Sequence, residues 1–311
     1  MTAALARLEA PGVETLVLEA LDGYPISATR YAARGVHLGN IVVASATGVG
    51  QQFYRRFAEY ASGRGFGVLT FDYRGIGRSR PASLKGLDVD LLDWGRCDLA
   101  SAFDAMKNDG VPLFGVGHSI GGHAFGLAPN HRDVAKFYTF GTGTGWYGWM
   151  PPYDRARVWL MWKLVLPLLT TWKGYAPWSI LGMGDDLPLG VYRKFSHWCC
   201  LPRHFFDDPA MNGIERKYAE VRTPIVAANA LDDTLSLPRS RDAFMFAYCN
   251  APVTRLDLDP RPIGGIGHLG YFRQHAEPLW RDALDWFLDI GGSRGHVELG
   301  STREELTGVD R

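Results

Sequence analysis

The chain has 311 residues, 46% of them apolar and 21% charged, with Lys plus Arg equal to Asp plus Glu at 33 each. That length supports one large α/β domain or two ordinary ones with an ample core. Balanced charge excludes a global field that would collect nucleic acid or an anionic membrane, so no polyanionic partner is expected.

In chain order, residues 1–11 carry neither a basic stretch nor a long apolar one, so no secretory signal is read there. Cys97, Cys199, Cys200 and Cys249 have no Cys-x-x-Cys spacing, and the expectation is a cytoplasmic protein with reduced thiols. Residues 13–19 and 24–31 are extended runs around the turn Leu21-Asp22-Gly23, an antiparallel hairpin that begins a sheet. Residues 41–44 read as a buried strand that ends in Ser45-Ala46-Thr47-Gly48-Val49-Gly50, and residues 51–61 carry Phe53, Phe57 and Tyr60 at helical spacing. A further strand at 67–71 leads into the loop Asp72-Tyr73-Arg74-Gly75-Ile76-Gly77-Arg78-Ser79, in which Asp72 is expected to orient the loop with Arg74. Residues 88–106 are predicted helical, with Leu91, Leu92, Leu99 and Phe103 on an apolar face.

Val111, Leu113 and Phe114 then read as a buried strand running into Gly117-His118-Ser119-Ile120-Gly121-Gly122, and residues 123–127 read as a helix. Strand, tight turn and helix meet at one serine, the context that a Gly-x-Ser-x-Gly nucleophile elbow requires. A side chain at Gly117 or Gly121 would collide with the neighbouring strand or helix, and the helix start aims backbone N–H groups at a developing negative charge. Alternation of strand and helix argues a parallel sheet with ligands beyond the carboxyl ends of its strands.

The chain resembles an α/β-hydrolase: Asp72-x-Arg74-Gly75-x-Gly77-x-Ser79 is similar to the loop that this superfamily places after its fourth strand, and Gly117 to Gly122 to its elbow. It looks closest to a bacterial branch of serine hydrolases with an Ala-Thr-Gly-Val segment, here Ala46-Thr47-Gly48-Val49, in place of His-Gly. The resemblance covers most of 13–141 and 222–289. It implies the α/β-hydrolase fold, a mostly parallel central sheet flanked by helices, with a helical lid inserted after the sixth strand.

After that strand, at 136–140, the composition changes: the segment 142–221 holds seven of the ten tryptophans. The expected organisation is a first core part at 1–141, the lid at 142–221, a second core part at 222–290 and a flexible tail at 291–311. Val158, Trp159, Trp162, Leu166 and Leu169 can share a helical face, but Lys163 and Pro167 interrupt the run, so no integral membrane span is expected. Aromatic side chains facing the cleft would make an apolar pocket, and Trp146, Trp159 and Trp162, with Gly48 and His118, are the candidate substrate-binding residues.

A serine hydroxyl needs a base, and the base an acid. The hydrolase order Ser, Asp, His is met by Ser119, the pair Asp232-Asp233 and His268. Of nine histidines, His268 alone lies in a glycine-rich loop after the last strand, where the resemblance places the base. Asp233 is favoured over Asp232 because it is nearer the Pro238 that commonly trails the acid in the family; the other aspartate is expected to cap the following turn. The N–H groups of Ile120 and Thr47 are the expected oxyanion donors, with Gly48 or Ala46 as alternatives to Thr47.

This predicts a serine hydrolase that cleaves a small apolar or aromatic ester, thioester or lactone with neither metal nor organic cofactor. An acyltransferase or carbon–carbon bond hydrolase on the same residues, or a non-catalytic binding protein of the same fold, are the alternatives, and the oligomeric state is left open, a dimer included.

Overall fold

A computed structural model describes residues 12–289; residues 1–11 and the tail at 291–311, expected to be flexible, lie outside the described residues. Eight strands are formed: β1 (Val13–Glu19), β2 (Pro25–Tyr31), β3 (Gly39–Ala44), β4 (Phe66–Phe71), β5 (Leu113–His118), β6 (Val134–Phe140), β7 (Ile225–Ala230) and β8 (Val253–Leu258). They make one sheet in the order β1-β2-β4-β3-β5-β6-β7-β8. β1 and β2 pair antiparallel and β2 meets β4 antiparallel, whereas every pair from β4 to β8 is parallel.

The central strands read as unbroken apolar runs because both faces of the sheet are covered. Every residue of β3, β4, β5 and β7 is buried, while the edge strands β1 and β8 alternate between half-buried and exposed. Successive side chains point to opposite faces. Ile41 and Val43 join Phe57, Trp280 and Phe287 on one side, and Val42 joins Trp94, Phe103 and Phe125 on the other.

The core helices are α1 (Arg55–Gly63), α2 (Ala100–Met106) and α3 (Ile120–Phe125). The segment between β6 and β7 supplies α4 (Pro152–Leu160), α5 (Leu166–Lys173), α6 (Leu189–Trp198) and α7 (Ile214–Ala219), and α8 (Pro238–Met245) and α9 (Glu277–Leu288) complete the second half. A π-helical turn over Met161–Val165 joins α4 to α5 just before Pro167, which has no N–H to give to the ladder. Among the described residues no helix is long and apolar enough to cross a membrane.

The helix predicted over 88–106 starts later than expected, with a π-helical turn at Trp94–Leu99 that continues into α2. Residues 88–93 turn instead, because Asp90 Oδ1 accepts from the Leu92 N–H at 2.9 Å and Asp93 Oδ2 from the Asp90 N–H at 3.2 Å. Such local side-chain bonds offer the backbone an alternative to the helix.

Asp72 and Arg74 also part company. Asp72 accepts from the Gln51 N–H at 2.7 Å and the Arg78 N–H at 3.0 Å, tying its loop to the helical turn that follows β3 at Gln51–Tyr54. Arg74 is buried against Asp98, Nε to Oδ1 at 2.8 Å, and reaches Asp22 with both terminal nitrogens at 2.6 and 2.7 Å. Asp98 is fully buried and accepts the Arg74 backbone N–H as well, at 2.9 Å. Removing it leaves the buried Arg74 Nε and backbone N–H without an acceptor while Asp22 still holds the terminal nitrogens, so Asp98→Ala should lower the unfolding free energy by about 3 kcal/mol. A urea titration in which the extrapolated unfolding free energy falls by less than a third of that, at unchanged slope, would show the pair to be dispensable.

Candidate active site

The sheet positions the site through its strand order. β3 is flanked by β4 on one side and β5 on the other, and both β3 and β5 end at the same edge, where parallel sheets open a crevice. β5 stops at His118 and α3 starts at Ile120, leaving Ser119 to make the whole turn at φ 53° and ψ −112°. Among the described residues only Ser119 and His204 are non-glycine residues with positive φ. The turn is held by the Ser119 N–H on the Phe140 carbonyl at 2.9 Å and by the Thr142 hydroxyl on the Ser119 carbonyl at 2.9 Å. It also needs its glycines: a Cβ on Gly121 would run into the Ala44 carbonyl, and one on Gly117 would sit 2.9 Å from the Gly122 nitrogen.

The structure brings three of the candidate residues together across 149 and 35 positions of sequence. His268 Nε2 lies 3.1 Å from Ser119 Oγ, and His268 Nδ1 lies 2.9 and 3.1 Å from the two oxygens of Asp233. A carboxylate only accepts, so Nδ1 carries the hydrogen and Nε2 turns its lone pair to the serine. Asp233 is fully buried, and its remaining acceptor capacity is filled by the Tyr271 hydroxyl at 3.0 Å and by the N–H groups of Leu235 and Ser236 at 3.2 and 3.0 Å. Burial opposes ionisation of Asp233, but the His268 charge, the His268 hydrogen bond and these donors outweigh it and hold the carboxyl below its ordinary value. Burial likewise opposes the charged form of His268, and the Asp233 carboxylate reverses the sign, raising the imidazole above its ordinary value.

Asp232 does something different from the turn-capping expected of it. Its oxygens accept from the N–H groups of Ile266 and Gly267 at 2.8 and 3.0 Å, pinning the loop that carries His268. The capping of that turn falls to Asp233 itself, through Leu235 and Ser236.

His118, a candidate substrate-binding residue, is buried behind the serine and does not line the cavity. Its Nε2–H donates to the His268 carbonyl at 2.8 Å, and its Nδ1 accepts from the Tyr54 hydroxyl at 2.9 Å, which in turn accepts the Ala46 N–H at 2.8 Å. Burial, with the neighbouring His268, pushes the His118 pKa down to about 3, so the ring is neutral and fits this donor-acceptor chain. The chain ties the end of β3 to the loop of His268, and neither Tyr54 nor this role was visible in sequence spacing. His118→Leu leaves the Tyr54 hydroxyl and the His268 carbonyl without their partner, and kcat should fall about 10- to 100-fold with little change in KM. A variant with natural kcat would reduce His118 to packing.

A cavity of about 610 Å³ opens over Ser119 and His268, within the usual range for small-molecule sites. Ile120 and Thr47 border it on the core side. The segment between β6 and β7 roofs it with Met150, Val158, Met161, Trp162, Trp178 and Phe195. Ile120 opens α3, where an N–H has no intrahelical acceptor, and the buried Thr47 hydroxyl has no partner among the described residues.

Of the other candidates, Trp162 faces the cavity, while Trp159, Trp146 and Gly48 do not. Trp159 is 49% exposed, because α4 turns it to the outer side of the same helix that carries the exposed Leu164, Leu168 and Trp172. Trp146 is folded against Trp149, ring centroids 5.2 Å apart. Gly48 is covered by Trp178, and its carbonyl accepts the Asp185 N–H at 2.7 Å. Trp178, read as one more aromatic of the segment, is the one that closes over the end of β3.

Residues 37–172 match the family model described as Serine aminopeptidase, S33, a stretch that ends before Asp233 and His268. Among solved structures the chain is similar to a soluble variant of monoglyceride lipase from Saccharomyces cerevisiae, at 17% identity over 92% of this chain and 97% of that one, with a TM-score of 0.62. It is also similar to an alpha/beta hydrolase from Penicillium, at 15% identity over 88% and 97% with a TM-score of 0.58. A thermophilic esterase from Thermogutta terrifontis gives 15% identity over 88% and 98%, with a TM-score of 0.55. No curated protein sequence matches the chain. The fold is the α/β-hydrolase fold.

Proposed function

We propose that the protein is a serine hydrolase that cleaves carboxylic esters, thioesters or lactones with an apolar acyl part. The observation that carries this reading is the unbroken hydrogen-bond line from Ser119 Oγ through His268 to the buried Asp233. Ser119 Oγ attacks the acyl carbon while His268 Nε2 takes its proton; Asp233 holds the ring and stabilises the imidazolium that forms. The N–H groups of Ile120 and Thr47 receive the developing oxyanion, the leaving group takes the proton back from His268, and water clears the acyl-enzyme by the same route.

The walls argue for an ester over an N-terminal peptide bond. An aminopeptidase must hold an ammonium group beside its scissile amide, and a buried ammonium needs a counter-charge. Among the described residues that line the cavity there is no Asp or Glu. The methionine, valine and tryptophan side chains of the roof suit an apolar chain instead, with Arg157, more than half exposed, as its one Arg or Lys among the described lining residues, and the segment between β6 and β7 acts as the lid. Ester-cleaving relatives of similar fold, the monoglyceride lipase and the esterase, are in keeping with that substrate class.

The test is labelling with a fluorophosphonate probe followed by a panel of nitrophenyl esters of graded chain length. Covalent labelling at Ser119 with turnover of medium-chain esters is expected; a chain that neither labels nor turns over any ester is not a serine hydrolase. The base must be neutral to act, and Asp233 raises its pKa, so kcat/KM should fall on acidification with a midpoint above 6.5. A midpoint at or below that value would show that the carboxylate does not govern the imidazole.

A further inference from the structure

Two histidines that the line of hydrogen bonds through Ser119 does not use, His123 and His204, border the same cavity. His123 lies on α3 four residues beyond Ser119, roughly 6 Å further along the helix axis. Its Nε2–H donates to the Gly143 carbonyl at 2.8 Å, which fixes the tautomer and leaves Nδ1 as a bare acceptor. That Nδ1 has no partner among the described residues, and neither ring nitrogen of His204 has one. Both rings are buried, His204 completely, and their centroids are 4.6 Å apart at a steep angle.

An unpaired buried imidazole is costly, and His204 adds a second cost. Its backbone sits at φ 58°, the left-handed region that it shares, among the described non-glycine residues, with Ser119 alone. Strain of this kind collects at sites that bind or react. Other cavity-lining groups with an unpartnered buried polar atom are single: Thr47 belongs to the serine end, and Trp178 stands against the β3 end. Only the histidines bring together a donor and two acceptors, withdrawn behind the cavity wall in a box with Trp198, Phe205 and Phe244, so an oxygen function must enter between the two rings to reach them.

We infer that His123 and His204 form a recognition site for an uncharged oxygen function of the substrate, a ketone or hydroxyl carried about four to six bonds from the scissile carbonyl. The inference rests on the hydrolase reading for the word substrate, and the pair would make that enzyme selective for oxygenated over plain alkyl chains. Burial holds both rings neutral, His123 down to about 3 and His204 lower than its ordinary range. A neutral ring offers one N–H and one lone pair, the complement of a hydroxyl or, through the N–H, of a ketone. A cation would be buried there with no carboxylate among the described lining residues, and an anion would face two uncharged rings, since Arg157, the one Arg or Lys among those lining residues, is more than half exposed and bonded to Asp154 at 3.2 Å.

The test uses Ser119→Ala protein, so that binding is read without chemistry, with methyl hexanoate and methyl 5-oxohexanoate as probes and nitrogen-15-labelled histidine for NMR. The oxo ester should bind at least about 10-fold more tightly, a difference of about 1.4 kcal/mol, and should move the His204 ring resonances. His204→Phe should bring the affinity ratio close to one. His204→Asn accepts a positive φ and keeps a donor and an acceptor, so it should retain part of the ratio. Equal affinities, or a ratio that survives in both variants, would overturn the inference and leave the histidines as packing around internal water. Should His204→Phe not fold, the His204→Asn ratio and the resonance shift decide. Failure of the hydrolase reading appears separately, as absence of fluorophosphonate labelling in the natural chain.

Discussion

Replacing Ser119 by alanine should lower kcat/KM on the best ester about 10⁵-fold, and His268→Ala should cost as much; at 1.36 kcal/mol per tenfold this is about 7 kcal/mol of transition-state stabilisation. The two losses should not add. In the proposed mechanism serine attack and proton removal are one event across the 3.1 Å contact between Ser119 Oγ and His268 Nε2, so either variant would remove the whole of it. The double variant should therefore be no slower than the singles, with residual catalysis from the Ile120 and Thr47 donors. Alanine keeps the Cβ that already tolerates φ 53° at this turn, so the thermal midpoint of Ser119→Ala should stay within a few degrees of the natural one. A Ser119→Ala protein that retains a tenth of the natural rate would place the nucleophile elsewhere.

The second large effect separates the adjacent aspartates. Asp233→Asn should lower kcat about 10⁴-fold, because an amide that donates to Nδ1 moves the imidazole hydrogen to Nε2 and points it at the serine. The amide is also badly placed among the other partners. Oδ1 receives two N–H groups and Oδ2 the Tyr271 hydroxyl, so an NH₂ at either position faces a donor. With the carboxylate gone, the acid limb of any remaining activity should shift to lower pH, since Asp233 is what raises His268 against the effect of burial. Asp232→Asn should cost only about 10- to 100-fold, through a looser His268 loop, as Ile266 and Gly267 lose one acceptor between them. Equal losses for the two variants would mean that loop position, not the charge on the imidazole, is what the pair contributes.

The same residues show how far the linear chain could be read. The elbow was legible because its requirements are local: an apolar strand, a turn at Ser119 with no room at Gly117 and Gly121, and a helix start. The hairpin and the buried strands were legible for the same reason, since alternation and turn chemistry are properties of neighbours, whereas the Ser, Asp, His order was read from the family resemblance. The helix over 88–106 was read six residues too long because Asp90 and Asp93 hydrogen-bond their own turn, a competition that hydrophobic spacing does not register.

Partner choice was decided by the tertiary structure. Arg74 takes Asp98 and Asp22 instead of Asp72, and His118 turns inward to the His268 loop instead of outward to the cleft. Both follow from which strands lie side by side. Trp159 and Trp162 sit three residues apart on one helical run, yet one is half exposed and the other lines the cavity, because only the packing of that helix on the sheet edge selects the inner side. His123 and His204, 81 positions apart, meet only through the segment between β6 and β7. Residue type and local spacing determined the strands, the elbow and the chemistry available to Ser119. Strand order and the packing of the roof decided which charges, rings and donors face that serine, because those contacts are made between elements and no periodicity within an element encodes them.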